Sequence, residues 1–300
     1  MRHVACDVCG ADDAREVYLS PAAPGTLHTR YVRCRSCGLV YADPRADPTE
    51  AAAFYGGKHG GSDAATLTRH AWNRSVAGRL RHLQSLPGTP PPGTRFVDVG
   101  FGDGASLAAA LQLGWNATGL ELDPGLVEAA RVRVPAADVR LGDVVEFQAE
   151  EPFNVAYSWH TVEHVLDVGD WLDAILRLLA PGGVFILGTE NAASAYAAMW
   201  TAPYRVARRV PRPPTSSEHT YWFEPRHLEQ LLVRRGYLDV SVRAYENSAL
   251  SVLRGVPTWR PFTPTVLASK AIYLASSVVA TLAPRLGGKI VCIATAGPPR

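Results

Sequence analysis

Short apolar runs of strand length alternate with helix-compatible segments from about residue 94 to residue 190. This alternation is typical of a doubly wound parallel sheet covered by helices. A helix over 226–235, closed by Gly236, and two further strands at about 237–244 and 289–296 extend the pattern. The hydrophobic pattern therefore predicts an α/β fold over residues 94–300.

Two other segments stand out from the alternation. Apolar residues recur near helical spacing over about 67–86, which predicts an amphipathic helix that the proline-rich joint at 87–93 ends. After the fifth predicted strand, residues 191–222 are rich in aromatic, proline and arginine side chains. Because open α/β sheets bind ligands at the carboxyl ends of their strands, we expect this insertion to be a lid over a substrate. A surface insertion without substrate contact is the alternative.

Residues 264–284 form a low-charge run in which Lys270 is the one charged residue. Its serines and alanines make the run only mildly apolar, which disfavours a stable membrane insertion. We expect a helix packed in the fold before the last strand. Peripheral membrane contact through this run is the alternative.

The first strand of the alternation enters a glycine-rich turn, Asp98-Val99-Gly100-Phe101-Gly102-Asp103-Gly104. Glycines let a ligand approach the backbone closely, and Glu121, seventeen residues past Gly104, is placed to accept hydrogen bonds from both hydroxyls of a ribose. The spacing differs from the Gly-x-Gly-x-x-Gly that seats a pyrophosphate, and Asp103 would repel a phosphate. These residues predict a nucleoside cofactor with a cationic sulfonium and no phosphate.

With this loop the chain resembles the class I S-adenosylmethionine-dependent methyltransferases, and further motifs follow in that family's order. Residues 120–124, LELDP, are similar to the family's second-strand acidic motif, and residues 141–143, LGD, to the turn whose carboxylate meets the adenine amino group. Residues 153–165 are similar to the fourth strand and the turn after it, and residues 178–183, LLAPGG, to the turn before strand five. The resemblance implies a Rossmann-like seven-stranded sheet, the methyltransferase fold.

The resemblance also implies where S-adenosyl-L-methionine binds. The expected contacts come from the glycine loop and from the ends of the next three strands: Asp98, Gly100, Phe101, Gly102, Gly104, Glu121, Leu122, Asp143, Val144, Ser158 and Trp159.

Methylation of a hydroxyl or an enolisable carbon also requires a base, and histidine is the usual base near neutral pH. His160 directly follows the fourth predicted strand and is the first candidate. His219, where the insertion returns to the sheet, and His164 are the other two. A structural hydrogen bond in the turn is the alternative role for His164.

The spacing His160-x-x-Glu163-His164 also matches the inverted zinc-peptidase motif. That motif requires one long helix, whereas this segment follows a strand. In related quinone O-methyltransferases a glutamate takes the place of His160, in a Glu-Glu-His set associated with a divalent cation. The histidine here leaves the presence of a catalytic metal undecided.

Four of the five cysteines form two knuckles, Cys6-x-x-Cys9 and Cys34-x-x-Cys37. Two such knuckles can place four thiolates tetrahedrally, which predicts a closed, structural Zn²⁺ site. A disulfide pair or a redox motif is the alternative, and a reducing compartment disfavours the disulfide. We therefore expect a zinc ribbon over residues 1–45 that depends on its metal for stability, joined by a linker and helix at 46–93 to the methyltransferase domain.

Composition and the N-terminal sequence indicate the class of protein and the compartment in which it works. The chain has 300 residues, of which 47% are hydrophobic, and a net charge of +2, the balance of a soluble enzyme. The N-terminus lacks an apolar stretch of signal-peptide length, so we expect a cytoplasmic protein. The oligomeric state is not predicted.

Three functions are compared. The first is O- or C-methylation of a small-molecule acceptor such as a sugar, a polyketide or another natural-product intermediate. The tetrad that amino-group methyltransferases place after strand four is absent, which disfavours N-methylation. The second is a zinc-ribbon ribosomal RNA methyltransferase, but residues 1–50 hold six basic against seven acidic side chains, so we expect no nucleic-acid partner. The third is a scaffold without cofactor, which the intact Asp98 and Glu121 disfavour.

Overall fold

A computed structural model describes residues 2–19, 27–58, 68–86, 90–206, 218–246 and 264–298. Within these ranges the strands are β1 Ala14–Leu19, β2 Arg30–Cys34, β3 Val40–Ala42, β4 Arg95–Val99, β5 Asn116–Glu121, β6 Asp138–Leu141, β7 Phe153–Trp159, β8 Leu179–Glu190, β9 Tyr221–Trp222, β10 Tyr237–Tyr245 and β11 Lys289–Ala296. The helices are α1 Pro48–Lys58, α2 Arg69–Gln84, α3 Ala105–Gln112, α4 Pro124–Arg133, α5 Val168–Leu178, α6 Ala195–Val206, α7 Pro225–Arg235 and α8 Pro264–Leu282.

A seven-stranded sheet has the strand order β10-β11-β8-β7-β4-β5-β6. Its central pairs, β4 with β5, β4 with β7 and β5 with β6, are parallel, and Val97 of β4 lies opposite Thr118 and Ala156. The last four residues of β4 are all buried, as expected for a strand at the centre of a parallel sheet covered on both faces. The predicted α/β fold with a seven-stranded sheet is confirmed.

A second sheet has the order β1-β2-β3-β9. All of its strand pairs are antiparallel. Strand β9 pairs with β3, so that Trp222 lies opposite Val40. Tyr31, Val40, Ala42 and Trp222 form the buried core of this sheet. Tyr31 and Trp222 meet edge to face with ring centroids 4.3 Å apart. The N-terminal strands therefore share their hydrophobic core with a residue from far along the chain.

The chain divides into two compact units. Unit 1 contains Met1–Arg45, Gly188–Leu231 and Ser241–Cys292, and unit 2 contains Ala46–Leu187, Leu232–Val240 and Ile293–Arg300. The glycine loop and its neighbouring strand ends lie in unit 2. The four knuckle cysteines lie in unit 1.

Several predicted elements are present within a few residues of their expected bounds. Helix α2 occupies 69–84 and α7 occupies 225–235, while β10 and β11 occupy 237–245 and 289–296. The run at 264–284 contains the helix α8. Among the helices of the described ranges, none has the length and apolar character that a bilayer crossing requires.

The structure corrects the prediction of a turn at 178–183. Strand β8 begins at Leu179 and so includes most of this segment, although Gly182 keeps a left-handed φ of 75°. A Cβ atom on Gly183 would lie 2.8 Å from the Ala180 carbonyl oxygen, so glycine lets the bent backbone remain within the strand. The insertion at 191–222 contains α6 and β9, while its residues 207–217 lie outside the described ranges.

Candidate cofactor site and metal centre

The glycine loop between β4 and α3 presents bare backbone to an open space. Gly100 and Gly102 have left-handed φ values of 78° and 55°. A Cβ atom on Gly100 would collide with the side chain of Thr161, so this position requires glycine. A Cβ atom on Gly102 would have no atom of the described chain within 4 Å. The loop thus leaves room for a ligand in close contact with the main chain.

Glu121 borders this loop at the end of β5. Its Oε2 accepts a hydrogen bond from the Gly102 N–H at 3.2 Å, and its Oε1 accepts one from the Leu122 N–H at 2.8 Å. Burial raises the pKa of this carboxyl group, while the backbone donors favour its charged form. A carboxylate fixed in this way keeps further lone pairs for the two hydroxyls of a ribose.

Asp98 lies in the interior, one residue before the end of β4. Its Oδ2 accepts a hydrogen bond from the Ser106 hydroxyl, and its Oδ1 has no partner among the described residues. Burial raises the pKa of Asp98 from 3.8 to about 7. The Phe101 ring is also buried and packs against Gly119 of β5, so of this residue only the main chain is available to a ligand.

The turn after β6 contains the predicted contacts Asp143 and Val144. Asp143 Oδ1 accepts a hydrogen bond from the Val145 N–H at 3.0 Å, and the Val144 side chain is buried. The Asp143 side chain is exposed, and its second carboxylate oxygen, Oδ2, takes no part in that hydrogen bond. Both residues are therefore placed at the sheet edge as expected, and their contact with adenine stays a prediction.

Helix α2 covers the glycine loop from one side. Trp72 donates its indole N–H to the Asp103 carbonyl oxygen at 3.3 Å, and the Ser75 hydroxyl donates to Asp103 Oδ2 at 3.0 Å. The other carboxylate oxygen of Asp103 accepts from the Ala105 N–H at 3.0 Å. Asp103 thus binds the loop to the helix that covers it and keeps a negative charge beside the loop.

The same face of α2 reaches the end of β7. Arg79 lies over the Trp159 ring at 5.0 Å and donates from Nη1 to the Tyr157 hydroxyl at 3.3 Å. In the described part of the chain this half-buried guanidinium forms no ion pair. Ser158 is fully buried, and its hydroxyl donates to the Val99 carbonyl oxygen at 2.8 Å, which joins the ends of β4 and β7.

Sequence reasoning did not single out Arg79. The helical periodicity of 67–86 predicted the helix, but it gave no indication of which strand ends the helix faces. The sequence does contain one indication. Arg79 lies three residues after Val76 and four before Leu83, so it shares a helix face with these buried residues.

His160 is the first residue after β7 and has a left-handed φ of 58°. Its Nδ1 lies 3.0 Å from Oε1 of Glu163, whose side chain is buried. The His164 N–H donates to the Thr161 carbonyl oxygen at 2.9 Å. Residues 160–166 form turns rather than a helix, so the long helix of the inverted zinc-peptidase motif is absent from this described segment.

The structure places the three candidate histidines in different units. His160 and His164 belong to unit 2. His219 belongs to unit 1, where it is buried with its ring 5.8 Å from that of Trp222. His219 therefore lies beside the four-stranded sheet. Its role as a second candidate base stays a prediction.

The four knuckle cysteines converge in unit 1. All four sulfur atoms lie within 4.8 Å of one another, with Cys6 Sγ 3.4 Å from Cys37 Sγ and Cys9 Sγ 3.5 Å from Cys34 Sγ. None of the four forms a disulfide. The glycine after each knuckle, Gly10 or Gly38, has a left-handed φ, which permits the tight turn. This donor set fits a tetrahedral Zn²⁺ site with four thiolates.

Helix α7 supports the second knuckle. The Glu224 N–H donates to Nδ1 of His227 at 3.1 Å, so Nε2 of that ring carries the proton and donates to the Cys37 carbonyl oxygen at 3.1 Å. The buried Arg45 forms an ion pair with Asp7, in the first knuckle, at 2.7 Å. The knuckles are thus held by side chains on both sides.

Residues 69–242 match a family described as "Methyltransferase domain". A relative named "Ubiquinone biosynthesis O-methyltransferase" from Xanthomonas campestris pv. campestris (strain B100) is 34% identical over 128 residues, which are 40% of this chain and 54% of the relative. Another of that name, from Xanthomonas axonopodis pv. citri (strain 306), is 31% identical over 167 residues, 52% of this chain and 68% of the relative. The chain spans about half the length of the first of these curated relatives.

Among solved structures, a SAM-dependent methyltransferase from Archaeoglobus fulgidus superposes with a TM-score of 0.51 at 16% identity, covering 75% of this chain and 94% of that one. This likeness concerns the fold. The sheet order and the glycine loop after β4 define an α/β protein of the doubly wound class. With the family match over more than half of its length, the chain belongs to the class I S-adenosylmethionine-dependent methyltransferases.

Proposed function

We propose that the protein transfers the methyl group of S-adenosylmethionine to a hydroxyl oxygen of a small molecule. The observation that carries this proposal is the cradle formed by Gly100, Gly102 and Glu121, with His160 following the parallel strand β7 of the same sheet. The names of the matched relatives support oxygen as the methylated atom.

The residues of unit 2 fit this cofactor part by part. Glu121 would accept hydrogen bonds from the ribose hydroxyls, and the turn with Asp143 and Val144 would hold adenine. The guanidinium of Arg79, which forms no ion pair with the described residues, would pair with the carboxylate of the amino-acid portion. The negative charge of Asp103 beside the loop suits a cationic sulfonium better than a phosphate.

The chemistry required of the chain is modest. Bound S-adenosylmethionine supplies a methyl group that the sulfonium already activates. The protein holds the acceptor oxygen in line with that methyl group and excludes water, and this positioning contributes most of the rate. As the oxygen–carbon bond forms and the carbon–sulfur bond breaks, the acceptor loses its hydroxyl proton. His160 is the group we assign to take it.

We also propose that Cys6, Cys9, Cys34 and Cys37 bind one structural Zn²⁺. With four thiolates the site has no open position for substrate or water, so the metal stabilises the strands around it and takes no part in methyl transfer. The short distances between the four sulfur atoms support this proposal, since four thiolates at such separations would require a cation between them.

A methyl-transfer assay tests the proposed function. Purified protein is incubated with methyl-labelled S-adenosylmethionine and either catechol or methyl glucoside, which represent aromatic and sugar hydroxyls. We expect label to enter one of these probes, and His160→Ala to lower the rate about 10²- to 10⁴-fold while binding S-adenosylhomocysteine as the wild type does.

His70→Ala, which removes a histidine from the exposed start of α2, is the matched control and should keep the full rate. Unchanged turnover in His160→Ala would show that another group, or no base, removes the proton. Absence of S-adenosylhomocysteine binding in the wild type would contradict the proposed function itself.

A further inference from the structure

The histidine–glutamate spacing after β7 produces a direct side-chain contact. His160 Nδ1 lies 3.0 Å from Glu163 Oε1, and the Glu163 side chain is 2% exposed against 35% for His160. One edge of the imidazole thus meets a buried carboxylate while part of the ring remains accessible. The contact joins residues three apart on a turn, not on a helix.

We infer that Glu163 is a positioning residue for His160: it fixes the imidazole tautomer with the proton on Nδ1, which makes Nε2 the basic nitrogen. With Glu163 ionised, its carboxylate can only accept hydrogen bonds, so Nδ1 is the donor in this contact. In neutral imidazole one nitrogen donates and the other accepts. The tautomer set at Nδ1 therefore decides which atom can take the acceptor's proton.

Other neighbouring residues also restrict the His160 ring to the orientation in which Nδ1 faces Glu163. His160 has a left-handed φ of 58°, a conformation that a non-glycine residue keeps only where its neighbours hold it. The Trp159 ring stands edge-on to the imidazole with centroids 6.1 Å apart, and Arg79 covers that tryptophan. A base that reacts through one defined nitrogen requires this kind of restriction.

The positioning role of Glu163 rests on the proposed function, in which His160 is the base. The test of the tautomer does not require turnover. The full chain is labelled with ¹⁵N-histidine, bound to S-adenosylhomocysteine, and examined by heteronuclear NMR of the ring nitrogens at about pH 8.5, where imidazole is ordinarily neutral. His160→Gln identifies the signal that belongs to His160. We expect the wild-type ring as the Nδ1–H tautomer alone.

Glu163→Gln keeps the shape of the side chain but can also donate to Nδ1 through its amide, so the single Nδ1–H signal should be lost in favour of a mixture with the Nε2–H form. Glu128→Gln, the same change at an exposed site on α4, is the matched control and should leave the spectrum unchanged. Both variants should bind S-adenosylhomocysteine like the wild type.

Three results would overturn the assignment: an Nε2–H tautomer in the wild type, a doubly protonated ring at this pH, or an unaltered signal in folded Glu163→Gln. If that variant does not fold, the wild-type tautomer alone decides. Lack of S-adenosylhomocysteine binding would contradict the proposed function, and it would leave the tautomer measurement intact.

Discussion

Gly100 and Glu121 fix the cradle through different kinds of constraint. Gly100 has no Cβ atom, which permits its left-handed φ and leaves room for the Thr161 side chain. At Glu121 the side chain is held by backbone donors on two segments, Gly102 and Leu122. Both residues could be identified from sequence because the glycine spacing and the acidic residue after the next strand are local patterns.

The contact between Glu121 and the ribose is tested by Glu121→Ala. Two ribose hydroxyls would lose their acceptor, so the affinity for S-adenosylhomocysteine should fall about tenfold or more, corresponding to roughly 1–3 kcal/mol. Isothermal titration calorimetry measures the change, with Glu128→Ala on the exposed face of α4 as the control. Equal affinities in the wild type and Glu121→Ala would exclude the assignment.

The role of Arg79 is tested with two ligands. If its guanidinium pairs with the carboxylate of the amino-acid portion, Arg79→Gln should weaken S-adenosylhomocysteine binding by about tenfold or more. Binding of methylthioadenosine, which lacks that carboxylate, should hardly change. Arg74→Gln, at an exposed position of the same helix, should bind both ligands normally. An equal loss for both ligands would instead indicate a general effect on the fold of the site.

At the scale of elements, periodicity predicted what each segment forms better than what it contacts. The strand at 289–296 and the helix at 226–235 were predicted almost to the residue, because alternation and helical spacing are local signals. The two-residue strand β9 was not predicted, since its pairing with β3 depends on residues about 180 positions away. Its Trp222 nevertheless lies in the core of the N-terminal sheet.

Because β9 belongs to the N-terminal sheet, the proposed zinc site would stabilise more of the chain than residues 1–45. Cys34→Ser should lose the metal, so that metal analysis finds one zinc per chain in the wild type and close to none in the variant. The melting temperature should fall because the knuckles no longer hold β2 and β3. Cys292→Ser, which removes the one cysteine outside the cluster, should retain its zinc. A zinc-free wild type, or full zinc in Cys34→Ser, would contradict the proposed site.

At the scale of the whole molecule, chain order and compact units do not coincide. Unit 1 is assembled from three separate stretches, and the boundary between the units passes within α7, β8, β10 and β11. Composition and motif spacing describe contiguous segments, so they could suggest a ribbon followed by a catalytic domain but not this division. The position of Arg79 over Trp159 was out of reach for the same reason, since it depends on tertiary packing.

The shifted pKa of the buried Asp98 makes the stability of the whole protein depend on pH. Burial raises the pKa of Asp98 from 3.8 to about 7 in the folded protein, so the folded state holds a proton that the unfolded chain releases. A raised pKa contributes stability that is complete below about pH 4 and is lost as the pH rises to about 7. His82, whose pKa burial and the Arg79 charge lower to about 4, acts in the opposite sense.

Asp98→Asn separates these two effects, because the amide does not titrate and His82 is the same in both proteins. The free energy of unfolding of the wild type minus that of Asp98→Asn should decrease by an amount on the order of a few kcal/mol between about pH 4 and pH 7. Urea titrations at intervals of pH measure this difference. A difference that is independent of pH would mean that Asp98 titrates alike in the folded and unfolded chains, and that burial near the end of β4 does not hold its proton.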